Sequence, residues 1–224
     1  MPKKRTSVKR QPRPIFHIYC EGEKTEPNYI DHYIKEHCHS FRQIQLRRIK
    51  LNDVLKVAKT NKTDPNSLVE LAIGEKARTP SGDEFWCVYD REAENTIPNE
   101  IHAKAYAAAA QNGINIALSN VCFEVWLLLH KQPTCAQYAS FEDLKKRSKL
   151  NAYYKNYAKG NNQSFKDEEI AIARRNAPRM NTSTRKNLGK DGPAYCLNPY
   201  SDFYCLLDAI DSFFADNVAN NLCR

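Results

Sequence analysis

Carboxylates that follow directly on apolar runs are the side chains of this sequence best suited to chemistry. Glu21 closes the run Ile15–Cys20 and stands beside Gly22, with Glu23 and Glu26 close behind; Asp90 and Glu92 close the run Glu84–Tyr89. If both runs are parallel strands, their carboxyl ends share one edge of the sheet, the place where ligands gather in open α/β folds. Glu21, Asp90 and Glu92 are therefore expected to converge there. The alternation of side chains along a strand predicts that Asp90 and Glu92 leave on the same side. Hard oxygen donors of this kind suit Mg²⁺ or Mn²⁺. Such an ion polarises a phosphodiester and lowers the pKa of a bound water, the chemistry of hydrolysis. Acids at strand ends also serve as helix caps, and spacing alone leaves both roles open.

The neighbours of Glu21 divide by position. Glu23 and Glu26 read as helix-start acids favoured by the macrodipole, with Glu23 an outer ligand in the alternative. Lys24, in the glycine turn, either reaches a phosphate or is a solvated loop lysine. His130 ends an apolar stretch and reads as a residue that satisfies the last carbonyls of a helix rather than as a catalytic group.

The elements that must hold these groups follow from periodicity. Strands are expected at Ile15–Cys20, Ile44–Ile49, Glu84–Tyr89 and Ile114–Leu118. Helices are expected from about Glu26 with Pro27 in its first turn, from Asp64-Pro65 to Glu75, over Asn99–Gln111 with Gly113 as its stop, and over Cys122–His130, with Ser119-Asn120 as cap. A short helix near Asp53–Lys59 is a further expectation. This alternation argues for an α/β fold with a mostly parallel sheet flanked by helices. Beyond Lys131 the pattern turns basic and helical, with helices over Phe141–Leu150, Asp167–Arg175 and Ser201–Phe214, a polar loop over Met180–Gly192, and Asn198-Pro199 capping the last helix. Three regions result: a disordered basic arm (1–14), an α/β core (15–131) and a basic, mostly helical extension packed on it (132–224).

Charge is unevenly spread. Residues 1–13 carry six Lys/Arg and no acid, and residues 142–190 carry thirteen Lys/Arg against five acids. Since the chain as a whole is +8, everything else carries −6. An acidic core joined to basic flanks fits a protein that holds a polyanion with one part and acts on it with another, although a solvated lysine-rich surface has the same composition. No apolar run reaches the length of a membrane span, and no run of signal-peptide length follows the basic start. The eight cysteines contain no CxxC pair, and several lie in apolar runs, as reduced thiols do. A zinc site from His32, His37, Cys38 and His39 fails because three of these are sequence neighbours that cannot all turn to one ion. A cytoplasmic protein is expected.

Four blocks, CEGEKTEPNY, VYDRE, SNVCFEVWLLLH and NPYSDFYCLLDAI, span about Ile15 to Ile210 in order. A Glu-Gly after a first strand and an Asp-x-Glu after a later one resembles a TOPRIM domain, the metal-binding fold of primases, topoisomerases and OLD-type nucleases. The four blocks together resemble the RloB-like family of phage-defence proteins. This resemblance implies a TOPRIM-like fold and a metal-dependent nuclease toxin of an abortive-infection system, held or triggered by an ABC-type ATPase partner. It places Glu21 as general acid/base or metal ligand, and Asp90 and Glu92 as the acid pair, with Glu92 where the family more often has aspartate. It adds Glu124 as a further site acid, with Asn120 capping or positioning its helix. The catalytic set implied is Glu21, Asp90, Glu92 and Glu124, the first three holding Mg²⁺ or Mn²⁺.

A nucleic-acid surface is expected around Lys145, Lys146 and Arg147, with Arg174 and Arg175 further on and Lys24 near the acids. Tyr153, Tyr154 and Tyr157 lie beside the first of these clusters and either stack on unpaired bases or pack the extension. Such a mixture suits single-stranded or looped RNA, tRNA being favoured over DNA. The alternative function is a non-catalytic module that binds nucleic acid or the ATPase through a degenerate TOPRIM site. Nucleotidyl transfer is a third option.

Overall fold

The computed structural model describes residues 14–22, 24–37, 44–48, 64–79, 81–155, 157–160, 164–188 and 192–222. The aromatic and β-branched runs form β1 (Phe16–Cys20) and β3 (Glu84–Asp90), which are buried except at Glu84. Beside them lie β2 (Ile44–Arg48), β4 (Asn115–Asn120) and the two-residue β5 (Tyr200–Ser201). The sheet runs β2-β1-β3-β4-β5, parallel throughout except for β5, which lies antiparallel to β4. Around it stand α1 (Thr25–His37), α2 (Pro65–Lys76), α3 (Asn99–Asn112), α4 (Glu124–Leu129), α5 (Phe141–Arg147), α6 (Leu150–Tyr153), α7 (Asp167–Leu188) and α8 (Phe203–Leu222). The architecture is the α/β class expected from the alternation of elements.

Alternate strand residues feed two separate cores. Phe16, Ile18, Cys20, Trp86 and Val88 pack on one face with α1, α4, α7 and α8. Tyr19, Phe85, Cys87 and Tyr89 pack on the other with α2 and α3. Two residues beyond Val88, the same parity directs Asp90 toward the first face. Chain order reverses between β1 and β3, so the crevice at their carboxyl ends is the switch point where open α/β sheets take ligands.

Local chemistry sets the helix boundaries. Asp64 accepts a hydrogen bond from the Ser67 amide at 3.0 Å, and Pro65 opens α2. Gly113, at φ 61°, closes α3 in a left-handed turn that a side chain would strain. In α4, Val125, Trp126, Leu127, Leu128 and Leu129 are at most 2% exposed. Burying one such side chain stabilises by about 1.5–3 kcal/mol, so the α4 segment is among the firmest anchors of the first core.

Four expectations change. The polar stretch after Met180 is helix as far as Leu188, not loop, despite Pro178 within it. The reason is tertiary: Asn176 donates to the Leu129 carbonyl at 2.9 Å, Asn181 pairs with both the N–H and the C=O of Ser201, and Thr184 donates to the Pro199 carbonyl. Asn120 does not cap α4, whose start has no side-chain cap; its amide donates to the Tyr195 carbonyl at 3.3 Å. Asn198 does not cap α8 either, because its carboxamide bonds both the N–H and the C=O of Tyr138. Residues 200–201 add a strand to the sheet where only helices were expected. The helix expected near Asp53–Lys59 and the basic arm up to residue 13 lie outside the described residues. Cys20, Cys87 and Cys122 are buried, and neither these nor Cys135, Cys196 and Cys205 form a disulfide among the described residues. Among the described residues no helix is long and apolar enough to cross a membrane.

Asn181→Ala strips both partners from the Ser201 backbone. It is expected to lower stability by about 2–3 kcal/mol, the scale of leaving buried backbone groups unsatisfied. A urea midpoint equal to that of wild type would show that β5 is held by other contacts.

Candidate active site

The crevice between β1 and β3 begins with backbone contacts. The Glu21 amide donates to the Val88 carbonyl at 2.9 Å, and the Asp90 amide donates back to Glu21 Oε2 at 3.3 Å. Glu21 and Asp90 thus sit side by side on adjacent strand ends, as expected. Gly22 leaves the space that the next acid needs: a Cβ there would lie 2.4 Å from Glu26 Oε2. Glu26, in the first turn of α1, is therefore buried in the crevice and is not a solvated helix-start acid. Glu124 enters from the first turn of α4 and is 1% exposed. Its Oε1 accepts the Tyr157 hydroxyl at 2.7 Å, while its Oε2 has no hydrogen-bond partner among the described residues.

These acids feel one another. Burial, opposed by the Asp90 amide and reinforced by Glu26 and Glu92, pushes the Glu21 carboxyl up to about 8. Burial first, then Glu26 and Glu124, raises Asp90 well above the carboxylate range. Glu26 is raised by burial and by Glu124. The counter-charge is Lys159. Desolvation works against its ammonium, but Asp90, Glu124 and Glu26 outweigh that and hold it above its ordinary range. The segment that carries Lys159 is fastened to the start of α1: the Gly160 amide donates to Thr25 Oγ1 at 2.9 Å, and Asn28 donates to the Gly160 carbonyl. Gly160 has φ 88°, and the stem of Lys24 packs against it so closely that a Cβ would meet Lys24 Cδ at 2.7 Å.

Glu92 stands differently from the expectation. The strand ends at Asp90, Arg91 is buried, and Glu92 takes φ 56° with its amide bonded to the Val121 carbonyl at 2.9 Å. A left-handed turn breaks the alternation that would have put Asp90 and Glu92 on one side. Glu92 is exposed, although its charge still reaches Glu21.

The expected nucleic-acid contacts separate in the same way. Lys24 is exposed with its stem on Gly160. Arg174 is spent inside the fold, bonded to the Tyr33 hydroxyl at 2.8 Å and paired with Asp208 and Asp211. Arg147 pairs with Asp143 at 2.7 Å and lies over the Tyr138 ring, and Lys145 lies over Phe141. Lys146 and Arg175 are exposed. Tyr154 and Tyr157 are buried and bonded to the Leu127 carbonyl and to Glu124, so they pack the fold and are not base-stacking platforms. His130 is structural, as expected: it is buried between the Tyr29 hydroxyl and the Trp126 carbonyl, and burial lowers it to about 4.

The donor set suits a hard dication: four carboxylates, one with an orphaned buried oxygen, and no competing thiolate ligand among them. As the side chains lie, no group of three or more His, Cys, Asp or Glu among the described residues is arranged to hold a metal ion. Three features were not foreseen from the sequence: Glu26, Tyr157 as partner of Glu124, and Lys159. Glu26 carried no distinguishing mark beyond its distance from Gly22. Lys159 lay in a run rich in Lys, Asn and Tyr where nothing singles it out.

Among comparisons with known proteins, the family model described as "RloB-like protein" matches residues 16–210, from β1 into α8. No curated protein matches, and no solved structure matches.

Glu21 titrates near 8 in the folded chain against about 4.5 when solvated. The folded state therefore binds the proton more tightly, and stability falls as pH rises from about 4.5 through 8. Glu21→Gln removes that loss. Urea unfolding without added metal is expected to show Glu21→Gln gaining on wild type between pH 5 and pH 8. A pH-independent difference between the two would show that Glu21 is not desolvated.

Proposed function

The chain belongs to the RloB-like family, and from that premise we propose that it is a Mg²⁺- or Mn²⁺-dependent nuclease of TOPRIM type. In this reading it hydrolyses phosphodiesters of RNA, tRNA first among candidates, in the cytoplasm. It acts as the effector of an antiphage abortive-infection system alongside an ABC-type ATPase. The observation that carries the proposal is the crowding of Glu21, Glu26, Asp90 and Glu124 at the switch point of the sheet. Carboxylates buried together at a cost in desolvation are characteristic of functional sites.

Asp90, Glu124 and Glu26 would hold the ion, after rotamer changes that bring their oxygens together. When bound, it supplies Lewis acidity toward a phosphoryl oxygen and toward a water molecule. Tyr157 holds Glu124 Oε1, which leaves the buried Oε2 for the ion. Glu21, with a pKa of about 8, is poised to take a proton from an attacking water near neutral pH and to return it to the leaving oxygen. Lys159, whose charge is held by the same acids, becomes available to a phosphate as they are neutralised. Glu92, at the rim, adds charge without entering the crevice. The exposed Lys146 and Arg175 neutralise phosphates further along the strand.

One observation favours the non-catalytic reading. Lys159 already balances the acids as a metal would, and the carboxylates do not converge as they lie. Binding of Mn²⁺ separates the two: a module that uses the crevice structurally takes up no ion and cleaves nothing.

Asp90→Ala and Glu21→Ala are expected to reduce Mg²⁺- or Mn²⁺-dependent cleavage of total tRNA by roughly 10²–10⁴-fold, the range of lost acid–base and positioning groups. Toxicity in cells should fall with it. Cleavage that survives in both variants would overturn the assignment.

A further inference from the structure

Beside the crevice, past the ends of β3 and β4, lies a second cavity of about 230 Å³ that the chemistry above does not use. Its walls include Glu92, Asn120, Tyr138, Tyr195 and Asn198. This volume lies below the range of drug-sized pockets. It has room for one small planar group, not for a helix.

The rim is built stiffly. Arg91 spends its guanidinium on the carbonyls of Tyr195, Glu92 and Ile97 and on Asn99 Oδ1, at 2.8–3.3 Å. The Tyr195 ring is held by His102, stacked at 5.7 Å, and by Tyr106 edge-on at 5.3 Å. Tyr138 is held on its backbone by Asn198 and over its ring by Arg147. Within this frame the Glu92 carboxylate makes no hydrogen bond or ion pair among the described residues. It is carried on a left-handed turn that aims it away from the strand.

The chemistry of the walls selects the occupant. A pocket whose free group is a carboxylate, and whose cation is fully engaged by the protein, repels a phosphate. It accepts a neutral ring that offers N–H donors. Tyr195, half-buried, offers such a group its exposed ring surface, while Tyr138, buried with Arg147 over its ring, only closes the wall. Of the nucleobases, guanine alone presents two adjacent donors on its pairing edge, N1–H and the N2 amino group, which match the two oxygens of one carboxylate. Adenine and cytosine offer a single amino group beside an acceptor, and uracil a single N–H between two acceptors. Asp90, the last residue of β3, would then face the scissile phosphate, and Glu92, two residues past it, a base next to it.

We propose that the cavity bounded by Glu92, Asn120, Tyr138 and Tyr195 is a base-reading subsite for an unpaired guanine, with Glu92 as its acceptor. The proposal rests on the nucleic-acid reading of the neighbouring crevice and takes Glu92 out of the metal-ligand set. It predicts a substrate preference for guanine adjacent to the cleaved bond.

The test is titration calorimetry on the full chain with guanosine, inosine and adenosine 5′-monophosphates in EDTA, with Mn²⁺ binding measured separately. Wild type is expected to prefer the guanosine nucleotide over adenosine by roughly 10-fold or more, the scale of a bidentate base contact, with inosine between them. Glu92→Gln should erase that preference and bind Mn²⁺ as wild type does. Equal or undetectable binding of the nucleotides by wild type overturns the proposal, and so does a preference that survives in Glu92→Gln. Loss of Mn²⁺ binding in Glu92→Gln returns the residue to the metal and overturns it as well. A wild-type chain that prefers the guanosine nucleotide but cleaves no nucleic acid supports the subsite and refutes the nuclease.

Discussion

Carboxyl groups crowded at one edge of a sheet repel one another, and more strongly as protein replaces the water between them. Glu26, Asp90 and Glu124 are in that position, with Glu21 at the rim. Two devices relieve the repulsion. One is the proton, which burial holds on Glu21 and Asp90 beyond the usual carboxylate range. The other is Lys159, which enters on a segment more than a hundred residues from Glu21 and Glu26 in the chain. That segment is pinned by Thr25 and Asn28 on α1 and by the Tyr157–Glu124 bond. A segment beyond all four acids in the chain therefore completes the electrostatics of the site they form.

Such a site needs a frame that does not yield to its own charge. The α4 segment provides one side, since Glu124 opens a helix whose next five residues are buried almost completely. Pulling Glu124 away from its neighbours would expose that apolar surface. On the far side, α7 is stitched to α4 and β5 by the side-chain amides of Asn176 and Asn181, which bond the Leu129 carbonyl and both backbone groups of Ser201. Charge repulsion in the crevice is opposed by hydrophobic burial and by hydrogen bonds that have no water to compete with them.

How far the sequence reveals this depends on which physics carries each part. The strands, their parallel pairing and the placing of Glu21 and Asp90 are legible because burial leaves a local trace: continuous apolar runs that end in acids. Asp64-Pro65 and Gly113 mark helix ends for equally local reasons. Glu26 is not legible, because an acid in the first turn of a helix looks the same whether it faces water or a crevice. The space that admits it is set by the missing side chain of Gly22. The helix through Pro178 is misread because its polar residues are satisfied by distant backbone, a term no window of sequence contains. Tyr154 and Tyr157 stay undecided for the converse reason: an aromatic–basic mixture has the same composition whether the rings stack on a ligand or fill a core.

The tripeptide Asp90-Arg91-Glu92 shows how little separates these outcomes. In an extended strand the two acids would share one side, and the arginine would face the other. Ending the strand at Asp90 leaves that carboxyl over the first core, sinks Arg91 into a ring of carbonyls, and turns Glu92 outward at φ 56°. Arg91 is what makes the turn rigid, because its bonds to the Tyr195 carbonyl and to Asn99 Oδ1 tie the rim to the 3-10 turn at Ala194–Cys196 and to the start of α3. With the backbone so fixed, the extra methylene of glutamate over aspartate lengthens the reach of residue 92 away from the crevice. Residue 92 then lines a neighbouring pocket and adds to the charge on Glu21 only from a distance.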